Sequence, residues 1–165
     1  VQAPPQVGAQ QPAAAELAVV IADGLSALAV EHHAPALLRE FRARFSADWG
    51  AVPVVLAEQG RVALGDDIGA ALGARLVIVL IGERPGLSAP DSLGVYLTFA
   101  PRIGRMDSER NCISNIHAAG LAYGLAADRL SYLAREALRL QRSGVALKDD
   151  SATGLLPTDV VQNGG

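Results

Sequence analysis

Cysteine is almost absent: Cys112 stands alone among 165 residues. An internal disulfide and a multi-cysteine metal site are therefore excluded, and a reducing, cytoplasmic setting is expected. Aromatic residues are scarce at 4%, although half of the chain is hydrophobic. Packing then falls to Ala, Leu, Val and Gly, from which close α/β layers are built. Charge of either sign is modest. A net charge of −3 offers no basic field to a polyanion, so nucleic acid is not an expected partner. Long apolar runs are missing too. A run such as Leu76 to Ile81 falls far short of the ~20 residues that cross a bilayer. The first residues lack the charged start and apolar centre of a signal peptide. No zinc-ligand spacing, Walker loop or Ser-His-Asp order occurs. Asp23-Gly24-Leu25-Ser26 is not a nucleophile elbow either, because that turn needs Gly on both sides of the Ser.

What is present reads as one domain with loose ends. Residues 1–15, rich in Pro, Gln and Ala, read as a flexible linker or the remnant of a truncated N-terminal region; the first residue is Val. Leu17 to Ala22 (LAVVIA) is a short β-branched run that suits a strand buried on both faces. The turn Asp23 to Ser26 leads into a helix over Ala27 to Ala47, with Ser26 as N-cap and Pro35 as a break or kink. Leu37, Leu38, Phe41 and Phe45 recur at helical spacing. Val52 to Ala57 is a second strand and Asp66 to Leu72 a short helix. Arg75 to Gly82 (RLVIVLIG) is the clearest strand. A Pro/Gly loop over Glu83 to Pro90 precedes a strand over Gly94 to Phe99. Pro101 to His117 reads as irregular. A long helix runs from Leu121 to Gln141, with Gly144 as its stop. Residues 149–165 read as a flexible tail.

The alternation of strands and helices predicts an α/β fold: a Rossmann-like, open, mainly parallel sheet of about four strands with helices on both faces. Ligands bind such sheets outside the carboxyl ends of the strands. Asp23 to Ser26, Gln59 to Val62, Gly82 to Gly86 and the stretch from Ala100 onward are expected to leave that edge together.

These same segments carry a resemblance. VVIADGLSA (Val19 to Ala27), QGRVALGDDIG (Gln59 to Gly69), LIGERPGLSAPDSLGVYLTFAPR (Leu80 to Arg102) and ERNCISNIH (Glu109 to His117) occur in order at matching spacings. Together they resemble the ethanolamine ammonia-lyase small-subunit family, from Leu17 to about Lys148. The domain so marked is 16–148. Family members carry a longer, partly helical N-terminal region where this chain has its Pro/Gln/Ala stretch, and Ser151 to Gly165 matches no family motif.

The resemblance implies a lyase subunit with no complete active site of its own. It implies adenosylcobalamin, bound with its own base on cobalt and shared with a large barrel subunit. The reaction is radical conversion of ethanolamine to acetaldehyde and ammonia, begun by cobalt–carbon homolysis. A hetero-oligomer is implied, in the cytoplasm or inside a bacterial microcompartment. Val62, Glu83 and Cys112 match the family's cobalamin contacts, in GRV, GERPG and RNCISN. Val62 would pack on the corrin or nucleotide rim, Glu83 would accept hydrogen bonds from corrin amides, and Cys112 would fill a tight gap. Gly82 would let backbone approach the ring closely. The resemblance assigns no catalytic and no metal-ligating residue.

Plainer readings stand beside these. Val62 could be ordinary core, Glu83 a surface charge paired with Arg84, and Cys112 an inert buried thiol. Arg84, Arg102, Arg105 and Arg110 are expected near the same edge, where they would meet cofactor phosphate or form a solvated rim. Asn115-Ile116-His117-Ala118-Ala119-Gly120 approaches the D-x-H-x-x-G in which histidine ligates cobalt. The Asp that would support such a ligand is missing, so His117 is expected to serve the helix start or an interface instead. His32 and His33 are adjacent on a helix and face different directions, so they form no metal pair by themselves. Two rival functions remain open from residues alone. One is a free-standing Rossmann-like nucleotide-binding module, weakened by the absent G-x-G-x-x-G. The other is a purely structural partner subunit whose Val62, Glu83 and Cys112 lie on a dry interface.

Overall fold

The computed structural model describes residues 14–84 and 91–151. The linker expected over 1–15 and the tail over 149–165 fall almost wholly outside those residues, as does most of the loop over 83–90. The elements in chain order are β1 (Leu17–Ala22), α1 (Ala27–Arg44), β2 (Val54–Ala57), α2 (Leu64–Ala71), β3 (Leu76–Glu83), β4 (Ser92–Phe99), β5 (Arg110–Ile116) and α3 (Tyr123–Leu140).

The strands form one five-stranded sheet in the order β2-β1-β3-β4-β5. β1 lies parallel to both β2 and β3, while β3–β4 and β4–β5 are antiparallel. The sheet is therefore mixed, and the expected Rossmann-like, mainly parallel sheet of about four strands does not form. The connection from Glu83 to Ser92 is the reason. A parallel return needs a crossover of roughly a dozen residues or more, usually a helix, whereas a short link permits only a hairpin. β4 accordingly runs back along β3, from Glu83 opposite Ser92 to Leu76 opposite Phe99.

β5 occupies a stretch read from sequence as irregular. Its core face holds only Ile113 and Ile116 among polar residues. A shift of register between Leu93 and Val95 also breaks the two-residue period by which a strand is recognised.

α1 and α3 cover one face of the sheet, over Leu17, Val19, Ile78, Leu80 and Leu97. Ser26 caps α1, its side-chain oxygen accepting from the backbone N–H of Ala29 at 3.2 Å. Pro35 lies inside α1 on its exposed side without ending it. α3 is ended by Gln141 in the left-handed conformation at φ 54°, with Arg142 N–H donating to the Ala137 carbonyl at 3.2 Å. Gly144 is thus not the stop. Its α-carbon packs against the backbone of Ser108 and Glu109, where no side chain has room.

α2 covers the other face, and it is short. Gly65 and Gly69 let its backbone lie directly on Val79, Val77 and Pro101. Its Asp66 carboxylate forms an ion pair with Arg110 of β5, and both side chains are 4% exposed. Arg110 also donates to Asp107 at 2.7 Å and to the Arg105 carbonyl at 2.9 Å. The pair ties β5 to α2. Arg110→Met leaves a buried carboxylate unpaired and should cost about 3–5 kcal/mol of unfolding free energy. Asp66→Leu combined with Arg110→Met should recover much of that loss. Urea denaturation of the three proteins measures both.

Candidate functional site

Because α2 is short, the sheet face beyond its first residues is left open at the carboxyl ends of β1 and β3. A cleft of about 570 Å³ lies there, with Val62, Gly82, Glu83 and Tyr96 among its lining. The exit turns of β1 and β2 form its rim.

The rim is built around Asp23. Its carboxylate accepts from the backbone N–H of Gln59 at 2.9 Å and of Gly60 at 3.1 Å. The first of these bonds holds the acid below the ordinary aspartate range. Gln59 takes a left-handed conformation, φ 53°, in meeting that carboxylate. The next residues fold straight into α2, with Leu64 N–H donating to the Arg61 carbonyl and Gly65 N–H to that of Val62, each at 3.0 Å. Val62 is half-buried at this junction, packed on the smaller apolar cluster beneath α2.

Gly82 is buried on β3, and its missing side chain has a definite use. A methyl group there would overlap the carbonyl of Ser26 and crowd that of Asp23. Gly24, at φ +57°, would likewise strike the Gly82 carbonyl if it carried a methyl. The backbone that approaches Gly82 most closely is therefore the protein's own β1–α1 turn, fastened by Leu25 N–H donating to the Gly82 carbonyl at 2.9 Å.

Glu83 ends β3 on the face shared with Ile81, and its carboxylate lies across β4 at Gly94, where a side chain would collide with it. Tyr96 donates its hydroxyl to Glu83 Oε1 at 2.9 Å, so the partner is Tyr96 and not the exposed Arg84. Cys112 stands opposite Tyr96 in the β4–β5 register and is exposed. Partial desolvation by the atoms packed around the sulfur raises its thiol above the ordinary value, the neighbouring Tyr96 hydroxyl opposes that rise, and the Glu83 charge adds to it. Burial first, then the neighbouring Cys112 and Glu83, pushes the Tyr96 phenol up as well.

Val62, Gly82 and Glu83 thus line one cleft, and Cys112 joins them through Tyr96. The arginines are dispersed. β4 is antiparallel, so the stretch from Ala100 onward leaves at the opposite end, where Ala100 N–H donates to the Arg75 carbonyl at 2.8 Å. Arg105 is spent there on Glu109 and the carbonyls of Phe99 and Ala100. Arg102 sits 3.8 Å from Glu109, and Arg110 is buried with Asp66. Of the four, only Arg84 follows directly on the cleft residues.

His117 Nε2 lies 2.9 Å from Asn115 Oδ1, an oxygen that can only accept, so this nitrogen carries the proton. Asn115, at φ 61°, turns the chain towards α3. His33 is buried. Its Nε2 lies 2.6 Å from the Asp91 carbonyl, to which it donates, and its Nδ1 is hydrogen-bonded to the Tyr123 hydroxyl at 2.8 Å. His32 meets the same Asp91 from outside at 3.3 Å, which holds that carboxyl below its usual range. His32, His33 and Asp91 offer ligand atoms within 4.8 Å of one another, but both nitrogens of His33 are already committed.

Tyr96, Gly94 and Asp23 were not singled out as site residues from sequence. Tyr96 and Gly94 stand two apart and therefore share a strand face. Which face, and opposite which residues, depends on the antiparallel register, which composition does not reveal.

The chain matches the family described as "Ethanolamine ammonia-lyase light chain (EutC)" over residues 3–148. It is 54% identical over 153 residues to the ethanolamine ammonia-lyase small subunit of Pseudomonas putida (strain W619), covering 92% of this chain and 56% of that protein. To the protein of the same name from Pseudomonas fluorescens (strain Pf0-1) it is 56% identical over 149 residues, 90% of this chain and 54% of the relative. To that of Xanthomonas campestris pv. campestris (strain ATCC 33913) it is 60% identical over 146 residues, 88% and 54% respectively. The chain spans about half the length of these curated relatives.

The Asp23 clamp has a measurable signature. A carboxyl held low in the folded state stabilises above its unfolded pKa and loses that contribution as pH falls through its folded value. Asp23→Asn should therefore melt below the parent protein at neutral pH. The gap in Tm should close on the acid side of the carboxylate range, as calorimetry across that range would register.

Proposed function

Because the chain belongs to the ethanolamine ammonia-lyase light-chain family, we propose that its cleft is one half of a seat for adenosylcobalamin. A large catalytic subunit supplies the other half, for the conversion of ethanolamine to acetaldehyde and ammonia. The observation that carries this reading is convergence. Val62 from the β2–α2 loop and Gly82 and Glu83 from β3 line the same cleft, and Cys112 from β5 stands across from Tyr96 in its wall.

The residues present fit such a ligand. Val62 and Ile81, with Leu25 at 74% exposure on the rim, offer apolar surface to the edge of a hydrocarbon ring. Glu83 Oε1 is held by Tyr96, and Oε2 takes no hydrogen bond from the described residues. That oxygen is an acceptor of the kind that amide-bearing side chains of a corrin would use, and a charge-assisted bond of this type is among the stronger ones. Cys112 contributes a small, soft contact. When bound, the cofactor supplies the radical chemistry, and the protein's share is binding, orientation and exclusion of water. Gly82 serves that share indirectly, by letting the β1 exit turn sit low enough to form the rim.

The cleft is one-sided. Leu28, at 53% exposure, stands beyond Leu25 at the start of α1, and both are left for a second protein surface to cover. Assembly with a large subunit supplies that cover. None of the described helices is long and apolar enough to cross a membrane.

With the large subunit present, Glu83→Ala should raise the apparent Kd for adenosylcobalamin roughly tenfold or more, the effect of losing a hydrogen bond to a charged group. The circular dichroism spectrum should be unchanged. Spectrophotometric titration of the assembled protein checks this, and an unaltered Kd would overturn the role given to Glu83.

A further inference from the structure

The geometry points to Tyr96 and Gly94 as the positioning pair that aims the Glu83 carboxylate, with Cys112 as the cross-strand neighbour of Tyr96. This rests on the cleft's reading as a cofactor half-seat and deepens it, because it names what fixes the acceptor in place.

Glu83 is the last residue of β3 and only half-buried. A glutamate at a strand end has three free side-chain torsions and would ordinarily sample water. Two features remove that freedom. β4 carries glycine at position 94, opposite Ile81, and the carboxylate occupies the volume that any larger residue would fill. Two residues along the same face, Tyr96 reaches back and donates its hydroxyl to Oε1 at 2.9 Å. With one oxygen held and the strand surface beneath it flat, the second oxygen stays available for a ligand.

The Tyr96 hydroxyl has a single proton, and the Glu83 carboxylate accepts it. Cys112 is the cross-strand neighbour of Tyr96, so its thiol stands close enough to sense both the hydroxyl and the Glu83 charge. Tyr96 is therefore a positioning residue, and Cys112 reports on the Tyr96–Glu83 pair without needing the cofactor.

The test has two arms. In the first, the pH profile of iodoacetamide alkylation is followed at Cys112, the only cysteine of the chain. Tyr96→Phe should move the profile to higher pH, since the thiolate loses the polar hydroxyl of its cross-strand neighbour. Glu83→Gln should move it to lower pH, since a nearby negative charge is removed. In the second arm, adenosylcobalamin is titrated into the protein assembled with its large subunit. Tyr96→Phe should weaken binding several-fold, up to roughly tenfold, and should add nothing when Glu83 is already alanine. Gly94→Ala, which displaces the carboxylate while keeping the tyrosine, should weaken binding in the same way.

Unmoved alkylation profiles in both variants would overturn the grouping of Cys112 with Tyr96 and Glu83. Additive losses in Tyr96→Phe and Glu83→Ala would overturn the positioning role. If Glu83→Ala leaves affinity unchanged while the profiles shift as expected, the cofactor reading of the cleft fails and the ligand-aiming role falls with it, leaving only the Tyr96–Glu83 hydrogen bond beside Cys112.

Discussion

The arrangement turns on a close backbone crossing. The turn leaving β1 passes directly over β3 at Gly82, near enough that neither Gly82 nor Gly24 can carry a side chain. Interiors packed at crystal-like density do not yield to an added methyl without moving a whole element. Here the element would be the N-terminus of α1, whose cap Ser26 supplies one of the crowding carbonyls. The crossing sets the height of the rim. From that height Asp23 reaches sideways to the β2 exit, and Glu83, next after Gly82, emerges on the opposite face of β3.

β3 is consequently the seam of the molecule. On one side lie β1 and β2, parallel to it and joined through helices. On the other lie β4 and β5, returning as hairpins. The candidate site straddles this seam. Its rim and Val62 belong to the parallel half, and Tyr96 and Cys112 to the antiparallel half. Reversal of β4 sends the chain to the far end of the sheet, and β5 brings it back, which is how Cys112 comes to face residues far earlier in sequence. The same reversal carries Arg102 and Arg105 away from the cleft.

How much of this could be read beforehand depended on the kind of signal. β1 matched its expected bounds, and Ser26 served as the N-cap, because β-branched runs and capping residues act locally. The C-terminal limit of α3 was placed at Gln141, next to its observed end at Leu140, but its stop was misread as Gly144, since a left-handed cap at Gln141 is the rarer choice for a residue with a side chain. Sheet direction was misread because a buried β4 looks the same in composition whether parallel or antiparallel; only the short link to β3 distinguishes them. β5 was missed because polar residues outnumber its apolar ones. Val62, Glu83 and Cys112 were named from motif likeness, whereas Tyr96 and Gly94 required the register of two strands. Gly82 was named for letting backbone approach a ligand ring, whereas the close approach found there is by the protein's own β1–α1 turn.

β2 is four residues long, lies at the sheet edge, and leaves Leu56 77% exposed. A strand so short, bonded on one side only, is the part of a sheet most prone to fray. Yet the loop that follows is not held by β2 alone. Asp23 grips it from β1, and α2 begins before it has travelled far. The rim can therefore keep its shape while the strand leading into it breathes. A ligand settling against Val62 would meet a surface whose ordering entropy was already lost on folding, and preorganisation of that kind raises affinity without a single added contact.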